Sequence, residues 1–167
     1  MPFEISNKDQ FLALREDFFQ KNYLKKNALN ASMKYSLFIE EQIHKLANGK
    51  KYDFALVSAG SFSRRELSPF SDIDLMFITH SVKDVKNDIS ELVQKFWDNG
   101  IDVSHTVREF TDIQKFLETD LHTFTQFFET RLLLGSDKIY NDWNENLFSS
   151  LTEENQKRII RELIKDI

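Results

Sequence analysis

From Gly60 to Ile78 the chain reads GSFSRRELSPFSDIDLMFI, and no other stretch restricts the fold as much. A short apolar run, Phe54 to Val57, leads to a turn at Gly60-Ser61. Eleven residues after Ser61 come Asp72 and Asp74, which open a second apolar run. Asp72 to Thr79 alternates as a strand, so residues two apart share a face. The two carboxylates then lie about 7 Å apart at their Cα atoms. Ile73, Leu75 and Phe77 take the opposite face, which must be buried. Between the strands, Arg64 to Leu67 starts a brief helix that cannot run far, because Pro69 disfavours a helical conformation at Ser68.

The flanking segments carry helical spacing. Phe11, Leu14 and Phe18, then Leu37, Ile43 and Leu46, predict one long helix or two between about Asp9 and Ala47, closed by Asn48-Gly49. Asp84 to Trp97 is an amphipathic helix with Ile89, Leu92, Val93 and Phe96 on one side. Ile101 to Val107 returns as a strand, and Thr111 to Leu134 reads as helical up to Gly135. The tail starts with a capping-box pattern, Ser150 to Glu153, and continues as a helix. The expected fold is α/β (α+β), a small mixed sheet covered by helices. Residues 1–150 form the domain, and 151–167 form a C-terminal helix that begins a further region or serves as an interface.

With 167 residues the chain fits one domain that closes a core without staples. Cysteine is absent, which excludes disulfides and thiolate metal sites and agrees with the reducing cytoplasm, the expected location. MPFEISNKDQ has neither a basic n-region nor an apolar h-region, so no signal peptide is expected. No apolar stretch approaches the roughly 20 residues of a membrane span. The formal charge of −5 argues against a surface that coats nucleic acid. The short clusters Lys25-Lys26 and Lys50-Lys51 read as solvated helix ends.

The chemistry is concentrated at the turn and the acids. Two carboxylates on one strand face repel each other unless a cation intervenes. Mg²⁺ suits them, since it takes one or two carboxylates together with substrate phosphates. Gly60 lets backbone N–H groups approach an anion, Ser61 adds a hydroxyl, and either Arg64 or Arg65 is placed to pair with a phosphate oxygen while the other pairs with Glu66. Ser71 is a second phosphate-facing hydroxyl or a turn residue. The GxxxxGK[ST] pattern is absent, which excludes a P-loop site. Asp102, between Ile101 and Val103, is the candidate third acid if its strand lies beside Asp72–Ile78.

These residues resemble the DNA polymerase β-like nucleotidyltransferase superfamily, and within it the nucleotidyltransferase domain of PII-protein uridylyltransferases and the nucleotidyltransferase-like proteins associated with CBS domains. The likeness runs over Gly60–Leu75, over WDNGIDVSHTVR from Trp97 to Arg108, and over ETRLLLG from Glu129 to Gly135. It implies transfer of a nucleoside monophosphate from an NTP to a hydroxyl, a protein side chain such as tyrosine included, with release of pyrophosphate. It also implies two Mg²⁺ ions held by Asp72, Asp74 and Asp102, with Asp102 helping to activate the acceptor, and Gly60 and Ser61 holding the triphosphate. His105 is expected to be structural, and Arg131 to clamp a helix to the sheet.

Two other functions fit the same residues. One is a regulatory module that senses nucleotide and metal without turnover; the other is a toxin–antitoxin adenylyltransferase that modifies a partner. Ile160, Leu163, Ile164 and Ile167 form an apolar stripe at helical spacing, which points to a second subunit or a further domain as its cover.

Overall fold

The computed structural model describes residues 8–22 and 28–165. The opening segment, Lys25-Lys26 and Ile167 lie outside the described residues. Strands β1 (Ala55–Ala59), β2 (Ile73–Thr79), β3 (Val103–Glu109) and β4 (Thr130–Gly135) form one mixed sheet in the order β3-β2-β1-β4. β1 runs antiparallel to both β2 and β4, whereas β2 and β3 are parallel. A parallel pair needs a crossover. Helix α4 (Val82–Asp98) supplies it, with Val85, Ile89, Leu92, Val93 and Phe96 buried along one stripe.

Both faces of the sheet are covered, because successive residues of each strand alternate between two cores. Phe54, Leu56, Ile73, Leu75, Phe77 and Val103 pack under α1 (Lys8–Asn22), α2 (Ala28–Ala47) and α4. Ala55, Val57, Met76 and Ile78 face the other core with Trp143, Phe124 and Phe127. That second layer is built from α5 (Thr111–Thr119), α6 (Leu121–Gln126), α7 (Asp137–Ser149) and α8 (Glu153–Lys165). Tyr52 stacks on Phe54 at 4.6 Å, and Phe54 meets the edge of Phe77 at 5.2 Å, so these rings serve as core filling.

Several local expectations are corrected. The segment expected to be helical through Leu134 breaks after α6 and becomes strand β4. Leu132–Leu134 is a short apolar run of a kind that helix and strand both accept. The edge of β1 decides between them by pairing Leu56 with Leu134 and Val57 with Leu132, around an irregularity in register. The brief helix also sits earlier than Arg64–Leu67. It is α3 (Gly60–Ser63), and Arg65 at φ 60° takes the chain out of helical geometry. The final helix is capped by Thr152, whose Oγ1 accepts from Asn155 N at 3.2 Å, while Ser150 donates to Leu147 O. Helix α7, which had no expectation, is capped by Ser136.

Candidate functional site

The strand register draws one row of residues across all four strands. Thr130 pairs with Ala59, and Asp74 pairs with Ser104. One step beyond the paired residues Ser58 and Leu75, Ala59 stands beside Asp74. The chain leaves β1 at this row through Gly60, whose φ of 54° is a left-handed conformation that glycine takes without cost. A Cβ placed on Gly60 would lie 3.5 Å from Asp74 Oδ2, so the bare Cα and the carboxylate face each other closely. The turn is held from several sides. Ser63 Oγ donates to Gly60 O at 2.8 Å, and Leu67 N donates to Ser36 Oγ on α2 at 3.2 Å.

Arg131 is the strongest brace. From β4 its Nη1 reaches both carboxylate oxygens of Glu40 on α2 at 2.9 Å. Its Nε and Nη2 donate to Ser63 O and Phe62 O at 3.3 and 3.4 Å. The guanidinium thus ties β4, α2 and α3 together and acts as the expected clamp. His105 is half-buried against Phe77 at 5.9 Å and Trp97 at 6.0 Å, and it also borders the cavity that Asp74 lines.

The row opens on a cavity of about 480 Å³ whose walls include Gly60, Arg64, Asp74, Ser104, Arg108 and Glu129. Asp74 is half-buried, and burial, followed by the charge of Asp72, pushes its carboxyl above the usual aspartate value. No hydrogen bond or ion pair to Asp74 relieves this charge among the described residues. That leaves a carboxylate of the kind a hard cation takes, near enough to Asp72 to feel its charge.

The other expected residues are distributed differently. Asp72 and Asp102 line a separate cavity of about 230 Å³ with Arg15 and Ser71, and Asp102 also borders a cleft beside Lys8 and Trp97. No group of three or more His, Cys, Asp or Glu among the described residues is placed to hold one metal ion. Asp102 precedes β3, and the residue that registers with Asp74 is Ser104. Ser71 is a turn residue: its Oγ accepts from Ser68 N at 3.0 Å and donates to Ser68 O at 2.9 Å. Arg64 lies on the Asp74 cavity but pairs with Glu66 at 2.9 Å and Glu129 at 2.6 Å. Arg65 borders a surface groove with Leu29 and Met33. Ser61 is partly buried in α3, one residue from Gly60.

Thr106, Thr123, Gln126 and Glu129 also line the Asp74 cavity and had not been singled out for it. The alternation of Ser104, Thr106 and Arg108 was the available signal: a polar face on a strand whose other face carries Val103 and Val107. Of the tail stripe, Ile160, Leu163 and Ile164 are exposed. No helix among the described residues is long and apolar enough to cross a membrane.

No family model matches the chain. It is 32% identical over 90 residues to the bifunctional uridylyltransferase/uridylyl-removing enzyme of Nitrosococcus oceani, covering 53% of this chain and 10% of that protein. The enzyme of the same name from Photobacterium profundum is 31% identical over 124 residues, covering 65% of this chain and 14% of the relative. That of Psychrobacter sp. is 33% identical over 106 residues, with 62% and 12% covered. The chain therefore spans only a small part of these relatives' length. A solved toxin–antitoxin structure with AMP-PNP matches with a TM-score of 0.38 and 16% identity over 76% of this chain and 95% of its own, a likeness too low to carry an argument. Over the matched stretch the chain is a partial homologue of the bifunctional uridylyltransferase/uridylyl-removing enzymes, and its mixed sheet is consistent with a nucleotidyltransferase fold.

Proposed function

We propose that this chain is a Mg²⁺-dependent nucleotidyltransferase that moves a nucleoside monophosphate from an NTP to a hydroxyl, with a protein side chain as the acceptor class. The observation that carries this reading is that Gly60 and the unrelieved Asp74 carboxylate line one cavity, close enough that a Cβ on Gly60 would meet the carboxylate. In the reaction an acceptor oxygen bonds to the α-phosphorus, the bond from that phosphorus to the bridging oxygen of the β-phosphate breaks, and pyrophosphate leaves. The acceptor's proton passes to solvent. The cation, when bound, offsets phosphate charge and lowers the pKa of the acceptor hydroxyl. Gly60 lets the phosphates come against the backbone, and Ser61 donates its hydroxyl to them. Asp72 and Asp74 would hold the cation, and the walls around Asp74 would orient the phosphorus for in-line attack.

Incubation of the protein and a lysate with each of the four α-labelled NTPs and Mg²⁺ tests this. A labelled band together with released pyrophosphate is expected, and both should disappear with Asp74→Asn. A second reading rests on the acids: among the described residues no group of three or more His, Cys, Asp or Glu is placed to hold one ion, and the domain would then bind nucleotide and report it without turnover. NTP binding with Mg²⁺ in calorimetry, but no label on any lysate component, would favour that reading.

A further inference from the structure

Arg108 occupies an unusual setting. It extends from β3 on the same face as Ser104 and Thr106, and lines the cavity that holds Asp74. Its guanidinium lies 4.7 Å over the Phe116 ring and 5.9 Å from that of Phe127. Its Nε is shut off from solvent with no hydrogen-bond partner. Among the described residues no ion pair or hydrogen bond engages its side chain, whereas Arg64 and Arg131 are each tied to carboxylates. Aromatic faces stabilise a guanidinium but leave its in-plane N–H donors unsatisfied. Of its donors only Nε is shut off, so the Nη groups stay open to an anion entering the cavity.

We infer that Arg108 is the second phosphate anchor of this cavity, binding the tail of the triphosphate whose reacting end lies at Gly60 and Asp74. The inference rests on the nucleotide reading of the site. In register Arg108 stands beside Ile78, four residues along from the Asp74–Ser104 pair. That is a displacement of about 13 Å along the strand. A phosphate tail together with the length of an arginine side chain covers such a span, whereas a single phosphate does not. The planar fork suits the terminal phosphate oxygens, and the aromatic walls preorganise it.

Titration with inorganic triphosphate, without Mg²⁺, separates this inference from the transfer reaction. For Arg108→Gln the affinity is expected to fall by about tenfold or more, the value of one charge-assisted hydrogen bond. Arg108→Lys should keep part of the affinity, and uridine and adenosine, which lack phosphate, should bind all three proteins alike. Thermal melts of both variants establish that they are folded. A folded Arg108→Gln that binds triphosphate as tightly as the unaltered protein overturns the inference, and label transfer with an unchanged KM for NTP in that variant overturns it while leaving the transferase reading intact. If triphosphate binding depends on Arg108 but no label is ever transferred, the anchor stands and the transferase reading falls.

Discussion

Ser104 lies directly beside Asp74 on the parallel neighbouring strand, and Asp102, two residues earlier, falls outside the cavity that Asp74 lines. The cavity linings therefore set Asp74 apart from Asp72 and Asp102, which line the other cavity together. Asp74→Asn should lower nucleotidyl transfer by roughly a hundredfold or more, the scale set by losing a group that organises transition-state charge. Asp102→Asn should cost far less. Single-turnover label transfer for the two variants checks this, and equal losses would return Asp102 to the centre of the site.

Protonation of Asp74 links stability to pH. Its folded value is raised by burial and by Asp72, so the native state holds this proton more tightly than the unfolded chain does. The stability associated with this group is fully present below the ordinary aspartate range and is lost as pH rises through the raised folded value. Urea melts across that window should show stability falling with pH in the unaltered protein relative to Asp74→Asn. Added Mg²⁺ should recover stability at the high-pH end for the unaltered protein alone.

The Arg131–Glu40 pair braces the turn through backbone carbonyls as well as through charge. Arg131→Ala should cost about 1–3 kcal/mol, since it strands Glu40 half-buried and frees the carbonyls of Phe62 and Ser63. Glu40→Gln should cost less, because an amide oxygen still accepts. Denaturant unfolding measures both, and a wider spread of conformations at Gly60 should raise KM for NTP in Arg131→Ala.

Gly135 closes β4 at φ 98°, and a Cβ there would stand 2.1 Å from Phe54 O, a backbone atom that cannot swing aside. Gly135→Ala should cost at least about 2 kcal/mol, combining left-handed strain with that collision. Gly49→Ala, where a Cβ meets nothing within 4 Å, should carry only the conformational cost. A similar loss of stability in the two variants would place the burden on backbone conformation alone.

Asp74, Gly60 and strand β2 were legible in the sequence because alternation and a turn residue report local geometry. Helix α4 was legible for the same reason, through its single apolar stripe. Strand β4 was not, since the three leucines Leu132–Leu134 say nothing about which edge will accept their hydrogen bonds. Asp102 illustrates the limit most clearly. Its place between Ile101 and Val103 identified a strand-like setting, but only the parallel register with β2 shows that Ser104 lies beside Asp74. Arg108 stayed in the background because its lack of an acidic partner is a property of the packed helices α5 and α6, which lie beyond it in the chain.

The row Thr130–Ala59–Asp74–Ser104 has a mechanical consequence. An occupant seated on it would touch every strand at once, bracing the sheet like a crossbar laid over four planks. Amide exchange should then slow together in β1 through β4, including the edge strands, and each wall would register the same arrival.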